Sequence, residues 1–250
     1  MISLKRLRGA LTYLNSADPI YRWSLKSGRC PLCGPSRFLA MAKDPFLVRC
    51  LKCRANVTNL AVAEAARQNV RNLQSKRAYE MSTYGSSFQF LKKHCGNVES
   101  SEYFPAAKPG ELVRGIRNED AQQLSFDDCS FDLVTSNQVF EHVPNIDKCL
   151  TECNRVLKQG GILLFTVPLY ETNATEHVAE IDQGAIRWLS TPEYHSSRTT
   201  GPNSVPVFWR FSVHDIAERV RAAQFSQVTL LSICVYKHQR EPQLVVYATK

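Results

Sequence analysis

The sequence predicts an α/β fold: a doubly wound, mostly parallel sheet with a C-terminal antiparallel strand hairpin, preceded by a small zinc-ribbon module. Three observations carry this. Four cysteines stand as two C-x-x-C pairs ahead of everything else. From about residue 75 onward, short apolar runs of strand length alternate with amphipathic helical stretches. The last two apolar runs are separated only by a polar turn, which suits an antiparallel pair.

Cys30-Pro-Leu-Cys33 and Cys50-Leu-Lys-Cys53 are separated by sixteen residues, the spacing of a zinc ribbon. Each pair offers two thiolates, and a closed four-sulfur tetrahedron needs four. Gly34 follows the first pair, where a knuckle turn leaves little room for a side chain. Cys30, Cys33, Cys50 and Cys53 are therefore the expected ligands of a structural zinc. A redox role is disfavoured because there are two such pairs and neither opens the helix of a βαβ unit. The remaining cysteines, Cys95, Cys129, Cys149, Cys153 and Cys234, show no framework and read as reduced thiols.

The expected organisation is a basic N-terminal helix or arm over 1–25, the ribbon over 26–58, a linking helix over 59–74 and the α/β domain over 75–250. Leu4, Leu7, Leu11 and Leu14 recur at helical spacing in the arm. The linking helix is expected from about Leu60 to Leu73, capped by Thr58 or Asn59, whose side chains can accept from free N–H groups of a first turn. Strands follow at Lys76–Met81, Val98–Tyr103, Leu112–Ile116, Phe131–Ser136 and Ile162–Val167. Helices are expected at Ser86–His94 and at Ile146–Leu157, where Ile146, Cys149, Leu150, Cys153, Val156 and Leu157 share a face. Gly160-Gly161 is expected to end the latter helix, since glycine adopts the left-handed conformation cheaply. A last helix over His214–Ala223 precedes strands at Val228–Tyr236 and Gln243–Thr249.

The net charge of +8 is unevenly placed: residues 1–77 hold 15 Lys and Arg against three acids, and the rest of the chain is mildly acidic. A basic front suggests an anionic partner such as RNA, a lipid surface or a phosphorylated glycan. The alternative is a solvated basic surface. No run approaches the roughly 18 apolar residues of a membrane span, and no secretory core is evident. A reducing, cytoplasmic compartment is the expectation.

The run Asp120-Ala-Gln-Gln-Leu-Ser-Phe-Asp-Asp-Cys-Ser-Phe-Asp-Leu-Val, the Glu141-His142-Val143 that follows, and Arg155-Val-Leu-Lys-Gln-Gly-Gly161 resemble the class I S-adenosylmethionine-dependent methyltransferases of type 11. That family reads D-a-x-x-L-P-F-x-D-x-S-F-D-x-V, then V-x-E-H-V, then R-V-L-K-P-G-G. Ser125 and Gln159 replace its two prolines. The resemblance implies a Rossmann-like methyltransferase fold with S-adenosyl-L-methionine as cofactor. In doubly wound sheets, ligands collect at the carboxyl ends of the strands, where strand order reverses. Asp120, with Ala121 beside it, is placed to accept from an adenine amino group. Asn137, Gln138 and Val139 leave the fourth strand toward the methionine half. Asp132 reads as structural.

The family's glycine-rich first loop is degenerate. In its place stands Tyr79-Glu80-Met-Ser-Thr-Tyr-Gly85, where only Glu80 and Gly85 can stand for the acid and one glycine. The second strand ends Ser100-Ser-Glu102-Tyr103, and Glu102 is the expected ribose ligand. The chain is similar to a bacterial subset of type 11-like proteins with a zinc-ribbon front and a Ser-Glu-Tyr strand end. Thr191-Pro-Glu-Tyr-His195 and Phe208-Trp-Arg-Phe211 also resemble that subset.

The segment 170–206 is long, polar and poor in evident structure, and is expected to be a substrate lid. Methyl transfer needs alignment and exclusion of water, and an oxygen or nitrogen acceptor can also need a base. His142 and His195 are the candidate catalytic bases; the alternatives are a turn-supporting and an ordinary loop histidine. Arg210 is expected either to bind an anionic acceptor or to pair with a carboxylate. The function expected is methylation of a small molecule, sugar or glycan intermediate. The alternatives are a zinc-ribbon RNA methyltransferase, and a catalytically inactive pseudo-methyltransferase acting as a binding module.

Overall fold

The computed structural model describes residues 23–197 and 201–250, so the amphipathic arm expected before Trp23 lies outside the described residues. The described residues begin with a three-stranded antiparallel sheet: β1 (Ser24–Cys30), β2 (Gly34–Ala40) and β3 (Val48–Cys50). The first cysteine pair forms the turn between β1 and β2, and the second follows β3. Gly34 has φ +72°, and a Cβ there would meet nothing within 4 Å. Backbone handedness, not shortage of space, therefore calls for glycine at this position. Arg54, the residue after the second pair, adopts the same left-handed region at φ 65°.

Helix α1 (Val57–Asn69) comes next. Its cap is Asn56, whose side chain accepts from Asn59 N at 2.7 Å, and neither Thr58 nor Asn59 plays that part. Thr58 and Glu64 are buried along with its apolar residues. Glu64 is satisfied by Arg67 at 2.5 and 2.9 Å and by Gln68 at 2.7 Å.

The main sheet has six strands: β4 (Arg77–Glu80), β5 (Asn97–Ser100), β6 (Phe131–Asn137), β7 (Leu157–Thr166), β8 (Gln227–Ile233) and β9 (Gln243–Thr249). Their order is β8-β9-β7-β6-β4-β5. β5, β4, β6 and β7 run parallel, and β9 is antiparallel to both β7 and β8. Strand order reverses between β4 and β6, so the switch point lies there. Consecutive strand residues point to opposite faces. Ala78, Leu133, Leu164 and Val245 pack with α1 and the ribbon's Phe38. Tyr79, Val134, Leu163 and Val246 pack on the other face with α3 (Ile146–Val156) and α4 (Ile216–Ala222). Helix α2 (Ser86–His94) contributes Phe90 and Leu91 to the first of these cores.

Three further expectations are corrected. The third strand is not formed: Leu112–Val113 and Ile116–Arg117 make a small hairpin, and only a Glu102–Asn118 bridge continues the parallel sheet. Gly160-Gly161 does not end α3, which stops at Val156. The glycines sit within β7, where the pairing shifts from Phe131–Leu157 to Leu133–Ile162 and the intervening residues bulge out. The segment 170–206 is not poor in structure. It carries the hairpin Ala179–Asp182 with Ala185–Trp188, the pair Tyr194–Ser197 with Gly201–Pro206, and a short strand pairing to Trp209–Ser212.

The ribbon is docked by its own backbone. Gly28 bridges Tyr236, and Lys237 N donates to Ser27 O at 2.7 Å. A Cβ on Gly28 would lie 2.6 Å from Tyr236 Cα and Val235 O. No described helix is long and apolar enough to cross a membrane.

Candidate active site

The four ribbon sulfurs lie within 4.8 Å of one another, and Cys30 Sγ is 3.7 Å from Cys53 Sγ. A tetrahedron with Zn–S near 2.3 Å has an edge of about 3.8 Å, so the cage has the right size for zinc. Ser36 Oγ lies 3.1 Å from Cys50 Sγ and supports it from outside. The cluster fits a zinc ribbon.

At the carboxyl ends of β4 and β6, the residues expected around the cofactor are already tied to one another. Glu80 is wholly buried, and it holds Ser87 Oγ at 2.9 Å and Thr135 Oγ1. Burial pushes its carboxyl up to about 8, against the pull of Thr135 and Ser87. Its hydrogen bonds thus run into the protein, fixing α2 to β6.

Glu102 Oε1 accepts from Thr83 N at 2.7 Å, Thr83 Oγ1 at 2.8 Å and Ser82 Oγ at 3.3 Å. It organises the loop that replaces the glycine-rich one. Gly85, at φ +96°, caps α2, and a Cβ there would meet nothing within 4 Å. Tyr103 is exposed. Asp120 accepts from Gln122 N at 2.9 Å, in a turn bridged to Gln123, and Ala121 beside it packs against the α3-side core. Asn137 Oδ1 accepts from Thr166 Oγ1 at 2.6 Å. Gln138 is held at φ 57° with its N–H on Thr166 O, a backbone strain of the kind that gathers at functional sites. Val139 packs partly buried against the core. Ser136 Oγ, at the same strand end, is buried without a hydrogen-bond partner. Asp132 is structural: it accepts from Arg77 N and Lys158 Nζ, both at 2.9 Å.

Two motifs that are far apart in the sequence interlock. Arg155 donates to Leu124 O, Phe126 O, Glu152 and Asp128, while Leu124 N donates to Glu152. The Leu-Ser-Phe run after Asp120 is thereby fixed against α3.

Just beyond Val139, a 3-10 turn (Phe140–His142) carries Glu141 and His142. Here the structure brings His142 and His195 together, with His142 Nε2 3.2 Å from His195 Nδ1. His142 Nδ1 lies 2.7 Å from Pro206 O, which fixes its proton on Nδ1 and leaves Nε2 a lone pair. Burial, with His195 beside it, pushes His142 down to about 4 despite the Pro206 carbonyl, so it is neutral near pH 7. Glu141 is wholly buried, and neither carboxylate oxygen has a hydrogen-bond partner. Burial pushes it up to about 8. Sequence reasoning read Glu141 only as part of a motif; two adjacent ionisable residues leaving a buried strand were the available signal. Arg210 pairs with Glu193 at 2.8 Å and Glu176 at 3.6 Å, so it serves carboxylates within the segment. The segment's seam is stitched by Phe208 N to Glu141 O at 2.8 Å and Val207 N to Glu193 O at 3.0 Å.

Residues 82–165 match the family model described as a methyltransferase domain, type 11. The chain matches this model over about a third of its length. It is similar to phthiotriol/phenolphthiotriol dimycocerosates methyltransferase 1 of Mycobacterium ulcerans, 32% identical over 117 residues, or 42% of each chain. It is also 30% identical over 123 residues to malonyl-[acyl-carrier protein] O-methyltransferase 1 of Coxiella burnetii, 49% of this chain and 36% of that one. The chain thus spans less than half the length of these curated relatives. Among solved structures, an S-adenosylmethionine dependent methyltransferase from Mesorhizobium loti superposes with a TM-score of 0.51 at 18% identity. The match covers 76% of this chain and 98% of that one, and it shows the shared fold.

Proposed function

We propose that the protein transfers a methyl group from S-adenosylmethionine to an oxygen or nitrogen of a small molecule, sugar or glycan intermediate that binds against the 170–206 segment. The observation that supports this most is a juxtaposition at one edge of the sheet. The switch-point residues of β4 and β6 end there, and the Glu141–His142–His195 cluster begins two residues past Val139. Bound cofactor supplies a methyl group on an activated sulfonium leaving group, so the protein has to align the acceptor, exclude water and manage its proton.

In this reading Glu102 and Tyr103 hold the ribose side, Asp120 and Ala121 the adenine side, and Asn137, Gln138 and Val139 the methionine side. The unpartnered hydroxyl of Ser136 and the open space at Gly85 fit a ligand at this edge. Glu80 acts one step back, holding α2 and the first loop through Ser87. His142 and His195 meet the acceptor atom whose proton must leave. Structural zinc bound by Cys30, Cys33, Cys50 and Cys53 holds the ribbon.

Isothermal titration with S-adenosylmethionine and S-adenosylhomocysteine tests the reading. Micromolar binding, weakened about tenfold or more in Glu102→Ala and Asp120→Ala, is expected for the loss of a charge-assisted hydrogen bond. Absence of heat and of thermal stabilisation in a folded sample would instead favour a non-catalytic binding protein.

A further inference from the structure

Glu141, His142 and His195 converge on a single point. His142 Nε2 is 3.2 Å from His195 Nδ1 and 3.7 Å from Glu141 Oε1, and His195 Nδ1 is 3.9 Å from the same oxygen. These three distances define a triangle whose circumcentre lies about 2.1 Å from each atom. That is the bond length zinc makes to imidazole nitrogen and carboxylate oxygen. The outer atoms are arranged to match. His142 gives its Nδ1 proton to Pro206 O at 2.7 Å, and His195 Nε2 lies 3.6 Å from Glu193 Oε1. Metal-bound histidines are held as His142 is, by an oxygen on the nitrogen that does not bind; the Glu193 carboxylate is near His195 but beyond hydrogen-bond reach. Glu193 is in turn held by Arg210 at 2.8 Å.

An independent observation also points to a ligand. The Glu141 side chain is 1% exposed and both of its oxygens are buried without a partner. A buried carboxyl with no hydrogen-bond partner is costly in either protonation state, and a bound cation would give it one.

We infer that Glu141, His142 and His195 form a second metal site, one that binds a divalent transition cation of the zinc class through one carboxylate and two imidazoles. The donor set is distinct from the four thiolates of the ribbon and suits zinc, iron, cobalt or nickel more than magnesium or calcium. Three protein ligands leave a position open, as in catalytic rather than structural sites. His195 is 35% exposed, so that position is reached from the side of the 170–206 hairpins. With both imidazoles bound to it, the cation would take over the proton-managing role given above to His142 and His195: it would polarise an acceptor hydroxyl and ease loss of its proton to solvent. This role rests on the methyl-transfer reading; the metal site itself does not.

The test is zinc stoichiometry. Full-length protein is loaded with Zn²⁺, freed of loosely held ion by gel filtration and measured by elemental analysis and by Zn²⁺ calorimetry. Wild type is expected to hold one equivalent more than Glu141→Gln and than His195→Ala, and the calorimetric event is expected to weaken at least about tenfold in both. Glu141→Gln keeps the shape of the buried side chain, and His195→Ala alters a partly exposed one. Circular dichroism of both variants confirms that they fold. Equal stoichiometry in wild type and folded His195→Ala overturns the inference, whatever the S-adenosylmethionine titration returns.

Discussion

Glu80→Gln isolates the energetic role of the carboxyl beneath the first loop. Glu80 is wholly buried, and burial raises its carboxyl from 4.5 to about 8 in the folded protein. A group shifted upward on folding stabilises the fold fully below its unfolded pKa, and that contribution is lost as pH rises toward the folded value. Between 4.5 and about 8 each pH unit therefore costs wild type about 1.4 kcal/mol through this group alone. Glutamine mimics the protonated acid: its amide oxygen can accept from Ser87, and its NH2 can donate to Thr135 Oγ1. Near pH 4.5 the two proteins should be matched in stability. From pH 5 to pH 7 the variant should gain on wild type by roughly 3 kcal/mol, which for a chain of this size is a melting-temperature difference of about 6–12 °C. Thermal melts followed by circular dichroism at half-unit pH steps measure this. Taking the difference between the two proteins cancels every other titrating group. Parallel pH profiles would refute the claim that burial holds Glu80 neutral.

Two substitutions probe the supporting frame. Gly28→Ala pushes a methyl group against the backbone of Val235 and Tyr236. It should cost about 1–3 kcal/mol in urea unfolding, with the ribbon released first in hydrogen exchange. Arg155→Met removes a guanidinium that serves two carboxylates and two backbone carbonyls. It should cost about 2–4 kcal/mol by the same unfolding assay, because Leu124 O and Phe126 O lose their donor.

The alternation of strands and helices after residue 75 was legible because it is written in local periodicity. Helix Ser86–His94 and strand Gln243–Thr249 stand where the sequence puts them. The helix read as Leu60–Leu73 proved to be α1, Val57–Asn69, and its face was hard to see. Most of Val57–Ala66 is buried, so no polar stripe marks an outward side. The hairpin at 179–188 was missed although Gln183-Gly184 marks its turn, both residues having positive φ. At the site, the chemistry of Glu141 and of the His142–His195 pair depends on a contact between residues 53 positions apart, which no local pattern encodes. The same holds for Arg155, whose value lies in the carbonyls it reaches across the fold.

The seam between Gly28 and Tyr236 has a consequence for how the chain assembles. During synthesis the ribbon leaves the ribosome early, with its cysteines close together in sequence and able to fold locally. The backbone it must pair with, Val235 to Lys237, is made only after the whole of the intervening sheet. The face of Phe38 that meets Tyr236 therefore stays uncovered while the sheet is laid down strand by strand. Contacts of such long sequence separation form slowly and leave apolar surface open to wrong partners. Metal held by the four cysteines would fix β1 against β2 during that delay and so shorten the list of partners that β1 can find.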